Sequence, residues 1–154
     1  MFGLKGFLLA GFFIAAATAA MPAAAQTPDE FKGSLANWSA ECALEAASAS
    51  NDLRQMIDAA AAAHKPIEPG ALVSKMDRNN ERIDACKKKA RANAFKAYRQ
   101  FLADQQNANI KHDAKVLLAA WLTWLDTIVN DGNYDSVEWK AYHQAFNAFT
   151  VDSL

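Results

Sequence analysis

Apolar residues recur at spacings of three and four along most of this chain. Phe31, Leu35, Trp38, Cys42, Ala46, Ala49, Leu53, Met56 and Ala60 form one stripe on a helix predicted from about Phe31 to Ala63. Ser48-Ala49-Ser50-Asn51 is the one place where that helix could break, because serine and asparagine make local backbone hydrogen bonds and can cap a new segment. His64-Lys65-Pro66-Ile67-Glu68-Pro69-Gly70 reads as a turn, with Pro69 suited to the opening turn of the next helix. A second stripe follows through Leu72, Met76, Asn79, Ile83, Cys86, Ala90, Ala94, Ala97 and Phe101. Its end is expected between Gln105 and Asn109, where the absence of proline and glycine also leaves room for continuation into a third helix.

The third helix, about Ile110 to Asn130, is apolar nearly all round, with a polar edge of His112, Lys115, Thr123, Asp126 and Asn130. Such a helix is expected in the middle of the domain. Asp135-Ser136-Val137-Glu138 reads as a capping box, flanked by Tyr134 and Trp139 as a hydrophobic staple, for a fourth helix running to about Phe149. Beyond residue 26, glycine occurs only at 33, 70 and 132 and proline only at 28, 66 and 69, and no stretch alternates with a period of two. The predicted fold is therefore all-α: a long antiparallel hairpin of helices one and two, packed by two shorter tryptophan-rich helices.

The N-terminus changes the compartment. A positive stretch ending at Lys5, the apolar run Gly6 to Ile14 and an alanine-rich tail closing on Ala23-Ala24-Ala25 make residues 1–25 a secretory signal peptide, cleaved before Gln26. About 15 strongly apolar residues precede Pro22, short of the ~20 that span a bilayer, and Val116 to Val129 is broken by Thr123, Asp126 and Thr127, so no stable membrane span is expected. Residues 26–154 then suit a single domain, periplasmic or secreted. In an oxidising compartment the two cysteines, Cys42 and Cys86, favour a bridge between facing seams of the hairpin. It would close a loop of about 44 residues, for which chain entropy gives roughly 4 kcal/mol as an upper figure.

Candidate chemistry is sparse. His64 falls in the turn, His112 beside Asp113 at a helix start, and His143 on a face shared with Lys140, Gln144 and Asn147. No catalytic constellation and no metal-ligand spacing can be assembled from them. Asp131-Gly132-Asn133-Tyr134-Asp135 opens like a calcium loop, but Ser136 and Tyr142 stand where the loop needs glycine and a bidentate glutamate. Ala141-Tyr142-His143-Gln144 resembles the haem-histidine neighbourhood of four-helix b-type cytochromes. That family also uses a methionine near the mature N-terminus, and the first here is Met56, so no cofactor is expected. Trp38 ahead of Cys42, and Ala85-Cys86-Lys87 through Asn93-Ala94-Phe95-Lys96, resemble the two cysteine neighbourhoods of the small periplasmic acid-stress chaperones. The resemblance implies a holdase-type chaperone as an alternative function.

Charge divides by helix. Residues 28–62 carry a net −4 and residues 75–99 a net +6, which suits an acidic helix lying against a basic one. Lys87, Lys88, Lys89 and Arg91 sit within five consecutive positions and span too wide an arc to face one neighbour, so they are the candidate patch for an anionic surface. Nucleic acid is not an expected partner of an exported chain whose aromatic residues lie mainly on apolar stripes. These readings favour an exported, non-enzymatic binding or interaction protein, of which inhibitor- and immunity-type proteins are examples. Its expected partner is another envelope protein.

Overall fold

The computed structural model describes residues 26–128 and 136–151, as four helices and, among those residues, no strand: α1 (Pro28–Ala62), α2 (Pro69–Asp104), α3 (Ala108–Thr127) and α4 (Val137–Val151). The signal region, the calcium-like stretch Asp131–Asp135 and the staple residue Tyr134 lie outside the described residues.

Each helix start has a local cause. Thr27 and Glu30 form a reciprocal capping box, the Glu30 amide donating to Thr27 Oγ1 at 3.2 Å and the Thr27 amide to Glu30 Oε2 at 2.7 Å, with Pro28 at the first helical position. α1 thus begins three residues before Phe31, and it runs unbroken through Ser48–Asn51. It closes in a Schellman turn: Lys65 N–H donates to Ala60 O and His64 N–H to Ala61 O, with His64 at φ 51°. Pro69 opens α2, in the first-turn position that its fixed φ suits. α2 and α3 are separate helices, because the Asn107 side chain accepts from the Asn109 and Ile110 amides and starts α3 afresh. At α4 the cap is Ser136, one residue later than predicted, its Oγ accepting from the Trp139 amide at 3.0 Å.

α1 and α2 pack antiparallel, joined by the Cys42–Cys86 disulfide with Cα atoms 5.6 Å apart. The seams therefore meet without the offset of a turn that the uneven loop could have introduced. α3 pairs chiefly with α4, and this second hairpin covers only one end of the first. At that end lie Phe31, Phe101 and Phe149, all buried, with Phe31 stacked on Phe101 at 5.3 Å and Phe149 edge-on to both. Trp121 of α3 is fully buried and donates its indole N–H to Leu35 O of α1 at 2.9 Å. α3 is not central, as its apolar circumference had suggested: Lys115, Val116, Ala119 and Thr123 face solvent. Its leucine, alanine and tryptophan content reads as buried on every side, but only three helices are available to cover it.

The other end of the hairpin is a two-helix arm. Beyond Ala49 on α1 and before Asn79 on α2, no described residue of the two helices is fully buried, so about 20 Å of hairpin extends past the four-helix core. Asn79 marks the boundary: its side-chain amide donates to Ala49 O at 2.8 Å, which explains a buried asparagine on an apolar stripe. Along one edge, Lys75 pairs with Asp52 at 2.9 Å, and Arg82 with Glu45 at 2.6 Å and Asp52 at 3.3 Å. Lys75 holds the Asp52 carboxyl below the ordinary aspartate value. Acidic α1 does lie against basic α2 here. No helix among the described residues is long and apolar enough to cross a membrane.

Candidate functional site

α4 lies along the first third of α1, and the two helices leave a cleft between them. One wall is α1, where Ala36 and Ala40 present only methyl groups and Ser39 sits at the floor, 2% exposed. The other is aromatic: Trp124 from α3 and Trp139, Tyr142, His143 and Phe146 from α4. The cavity measures about 270 Å³ and opens to solvent.

The aromatic wall follows from sequence spacing. Trp139, Tyr142, His143 and Phe146 are separated by three, one and three residues, which places them on one face of α4. Tyr142 stacks nearly parallel on Trp124, with centroids 5.0 Å apart and planes at 5°. His143 lies 3.8 Å from Trp139, and Phe146 is edge-on to Tyr142 at 5.7 Å. Burial pushes the Tyr142 phenol up to about 12, so it stays neutral at any physiological pH. The buried Lys32 of α1 places its ammonium 4.1 Å from the Phe146 centroid, a cation–π contact that covers one face of that ring.

The cleft's polar chemistry is limited. The Ser39 hydroxyl donates to Leu35 O at 3.0 Å and Ala36 O at 2.9 Å, so its proton is engaged by backbone carbonyls. Serine and histidine share the cleft, but among the described residues no carboxylate lines it to orient His143 as a base. Among the described residues no group of three His, Cys, Asp or Glu side chains converges as a metal site.

His143 was expected on a polar face. Lys140, Gln144 and Asn147 are indeed exposed, but the imidazole turns inward against Trp139 and is half-buried at the cleft. The sequence carried a signal for this, since Trp139 and His143 are one turn apart. His112 is exposed at the start of α3, and His64 sits in the turn.

The four predicted basic residues divide in two. Lys87 donates to Asp126 O at 3.0 Å and Arg91 pairs with the Asp126 carboxylate, so both hold the last turn of α3, where carbonyls lack helical partners. Burial pulls the Lys87 ammonium below the ordinary lysine value; Asp84 opposes this and Arg91 adds to it. Lys88 and Lys89 are exposed and have no ion-pair partner among the described residues. Lys88 joins Asp84, Lys87, Arg91 and Asp126 around a shallow polar depression.

No protein-family model, curated protein or solved structure matches this chain.

Proposed function

We propose that the chain is an exported, non-enzymatic binding protein, periplasmic or secreted, whose ligand or partner group seats in the aromatic cleft between α1 and α4. The observation that carries this reading is the cleft itself: an open cavity with aromatic side chains on one wall and methyl groups on the other, beside a core that already holds other aromatic residues. Concave, mostly apolar surface with few polar groups is the usual form of a binding site. Export is supported by the signal-like N-terminus and by the disulfide, which persists in oxidising compartments. A binding role is favoured over catalysis because the Ser39 proton is engaged and, among the described residues, no carboxylate stands beside His143 in the cleft.

The test is capture. Tagged wild-type protein and an Ala40→Phe variant, in which an exposed α1 residue is enlarged to fill the cleft, are recovered from the envelope fraction and compared by native mass spectrometry. A stoichiometric companion on the wild type, absent from the variant at equal helix content, is the expected result. Identical recovery by both proteins would remove the cleft from the proposal.

The arm favours one second reading, the holdase-type chaperone. Ile57, Val73 and Met76 are 48%, 56% and 44% exposed there, apolar surface of the kind that holds unfolded clients. Many unrelated clients, bound only at low pH and released by Ile57→Ser with Met76→Ser, would support that reading over a single partner.

A further inference from the structure

We infer that the cleft takes a small, planar, uncharged aromatic compound bearing one hydrogen-bond donor, of the indole or phenol class. The inference rests on the cleft being the binding site and adds the chemistry of what fills it.

Size comes first. A cavity of about 270 Å³ lies just below the range of about 300–1,000 Å³ that holds drug-sized ligands, so it suits one or two fused rings and not a folded segment of another protein. Shape comes second. The α1 wall carries methyl groups at Ala36 and Ala40, and the facing wall carries rings, among them Trp139 and His143 3.8 Å apart. A slot between methyl groups and aromatic side chains favours a flat, apolar occupant, which can stack on the rings or meet them edge-on.

Polarity selects the donor. The Ser39 hydrogen is directed at the Leu35 and Ala36 carbonyls, which leaves its oxygen able only to accept. A ligand N–H or O–H reaching the floor therefore gains a partner, whereas a ligand acceptor placed there meets a lone pair. Charge then excludes the other occupant that aromatic walls take. Rings of this kind can hold a quaternary ammonium, but among the described residues no carboxylate lines the cleft to balance its charge.

The probes are indole, 1-methylindole, which has nearly the same shape without the donor, and benzyltrimethylammonium, titrated into the purified full chain by calorimetry and by amide chemical shifts. Indole is expected to bind with shifts confined to residues 36–40, 124 and 139–146. 1-Methylindole should bind about fivefold more weakly, the value of one ordinary hydrogen bond. The ammonium should not bind. Ser39→Ala should bring indole to the level of 1-methylindole, and Ala40→Phe should abolish both. Equal affinity for the two indoles on the wild type, or an ammonium that binds as well as indole, overturns the assignment, as do indole shifts confined to the arm. If no probe binds while Ala40→Phe still releases the envelope companion, the ligand class fails and the cleft survives. If no probe binds and capture is identical too, both fail.

Discussion

The two ends of the α1–α2 hairpin have the same apolar spacing and different burial. From Phe31 to Ala49, stripe residues Phe31, Leu35, Cys42, Ala46 and Ala49 are sealed completely, because α3 and α4 cover that end. From Leu53 to Ala60 the spacing continues, but Leu53, Met56 and Ala60 are only half-buried, and Ile57, Val73 and Met76 are more exposed still. The periodicity specifies which face of a helix turns inward. How far that face is closed depends on the number of neighbouring helices, which periodicity does not contain. The arm compensates with polar links across its seam, Lys75–Asp52 within it and Asn79–Ala49 and Arg82–Asp52 at its base.

The sharpest way to break this comparison is to truncate one side chain at each end. Trp121→Ala removes a fully buried ring and its bond to Leu35 O and should cost about 3–5 kcal/mol of unfolding free energy. Met76→Ala on the arm, 44% exposed, should stay within about 0.5 kcal/mol. Denaturant unfolding of the two variants measures both. Similar losses would mean that the arm carries packing its exposure does not show.

The disulfide lies toward the core side of the boundary between the ends, and its 44-residue loop contains the whole arm. Cys86→Ser should therefore lower stability by about 2–4 kcal/mol and the melting temperature by several degrees, with helix content retained. Amide exchange localises the effect. Protection should fall first between residues 50 and 78, while the amides of α3 around Trp121 stay slow. An arm as protected without the bridge as with it would show that its own seam is sufficient.

Much of this architecture was legible in the chain. The stripes located α1 and α2, a nearly all-apolar run located α3 and a capping motif located α4; the proline-rich turn separated α1 from α2, and the cysteines on facing seams located the bridge. Boundaries were read less well where capping chemistry decides them. Thr27 and Glu30 could have moved the start of α1 from Phe31 to Pro28, and Asn107 could have separated α2 from α3, because each is a side chain aimed at orphan amides. The cleft was the harder object. Its residues come from three helices whose relative placement no spacing encodes, and only the α4 wall, Trp139, Tyr142, His143 and Phe146 at helical intervals, was legible in the chain. Lys32 was also missed: on a helical wheel it flanks Leu35 and Ser39, yet a charged residue is ordinarily assigned to solvent.

The tip of the arm holds an unfavourable backbone conformation. His64 occupies the left-handed position of the Schellman turn at φ 51°, where a Cβ is a steric penalty and glycine is the common residue. His64→Gly should stabilise the protein by about 0.5–1 kcal/mol, part of the local relief being offset by the greater freedom of glycine in the unfolded chain. A raised unfolding midpoint checks it. No change, or a loss, would indicate that the imidazole makes contacts at the tip that outweigh the strain.

The smallest effect on stability is expected on the basic run, where the comparison moves from the ends of a hairpin to neighbouring lysines on one helix. Lys87 reaches Asp126 O and helps hold the end of α3, so Lys87→Glu should set a carboxylate against the carbonyl and carboxylate of Asp126 and lower the melting temperature. Lys88 and Lys89, one and two steps further round the helix, face solvent, and changing both to glutamate should leave the melting temperature nearly unchanged. That separation permits a clean test of the anionic-surface proposal. Binding of wild type and the Lys88→Glu, Lys89→Glu double variant to vesicles containing anionic lipid is measured from low to physiological salt, with circular dichroism as the control. If exposed charge recruits an anionic surface, the double variant binds more weakly and with a shallower salt dependence, because two fewer cations contribute to a screened attraction. Equal binding at low salt, with Lys87→Glu alone destabilising, would restrict the run's role to tying α2 to the end of α3.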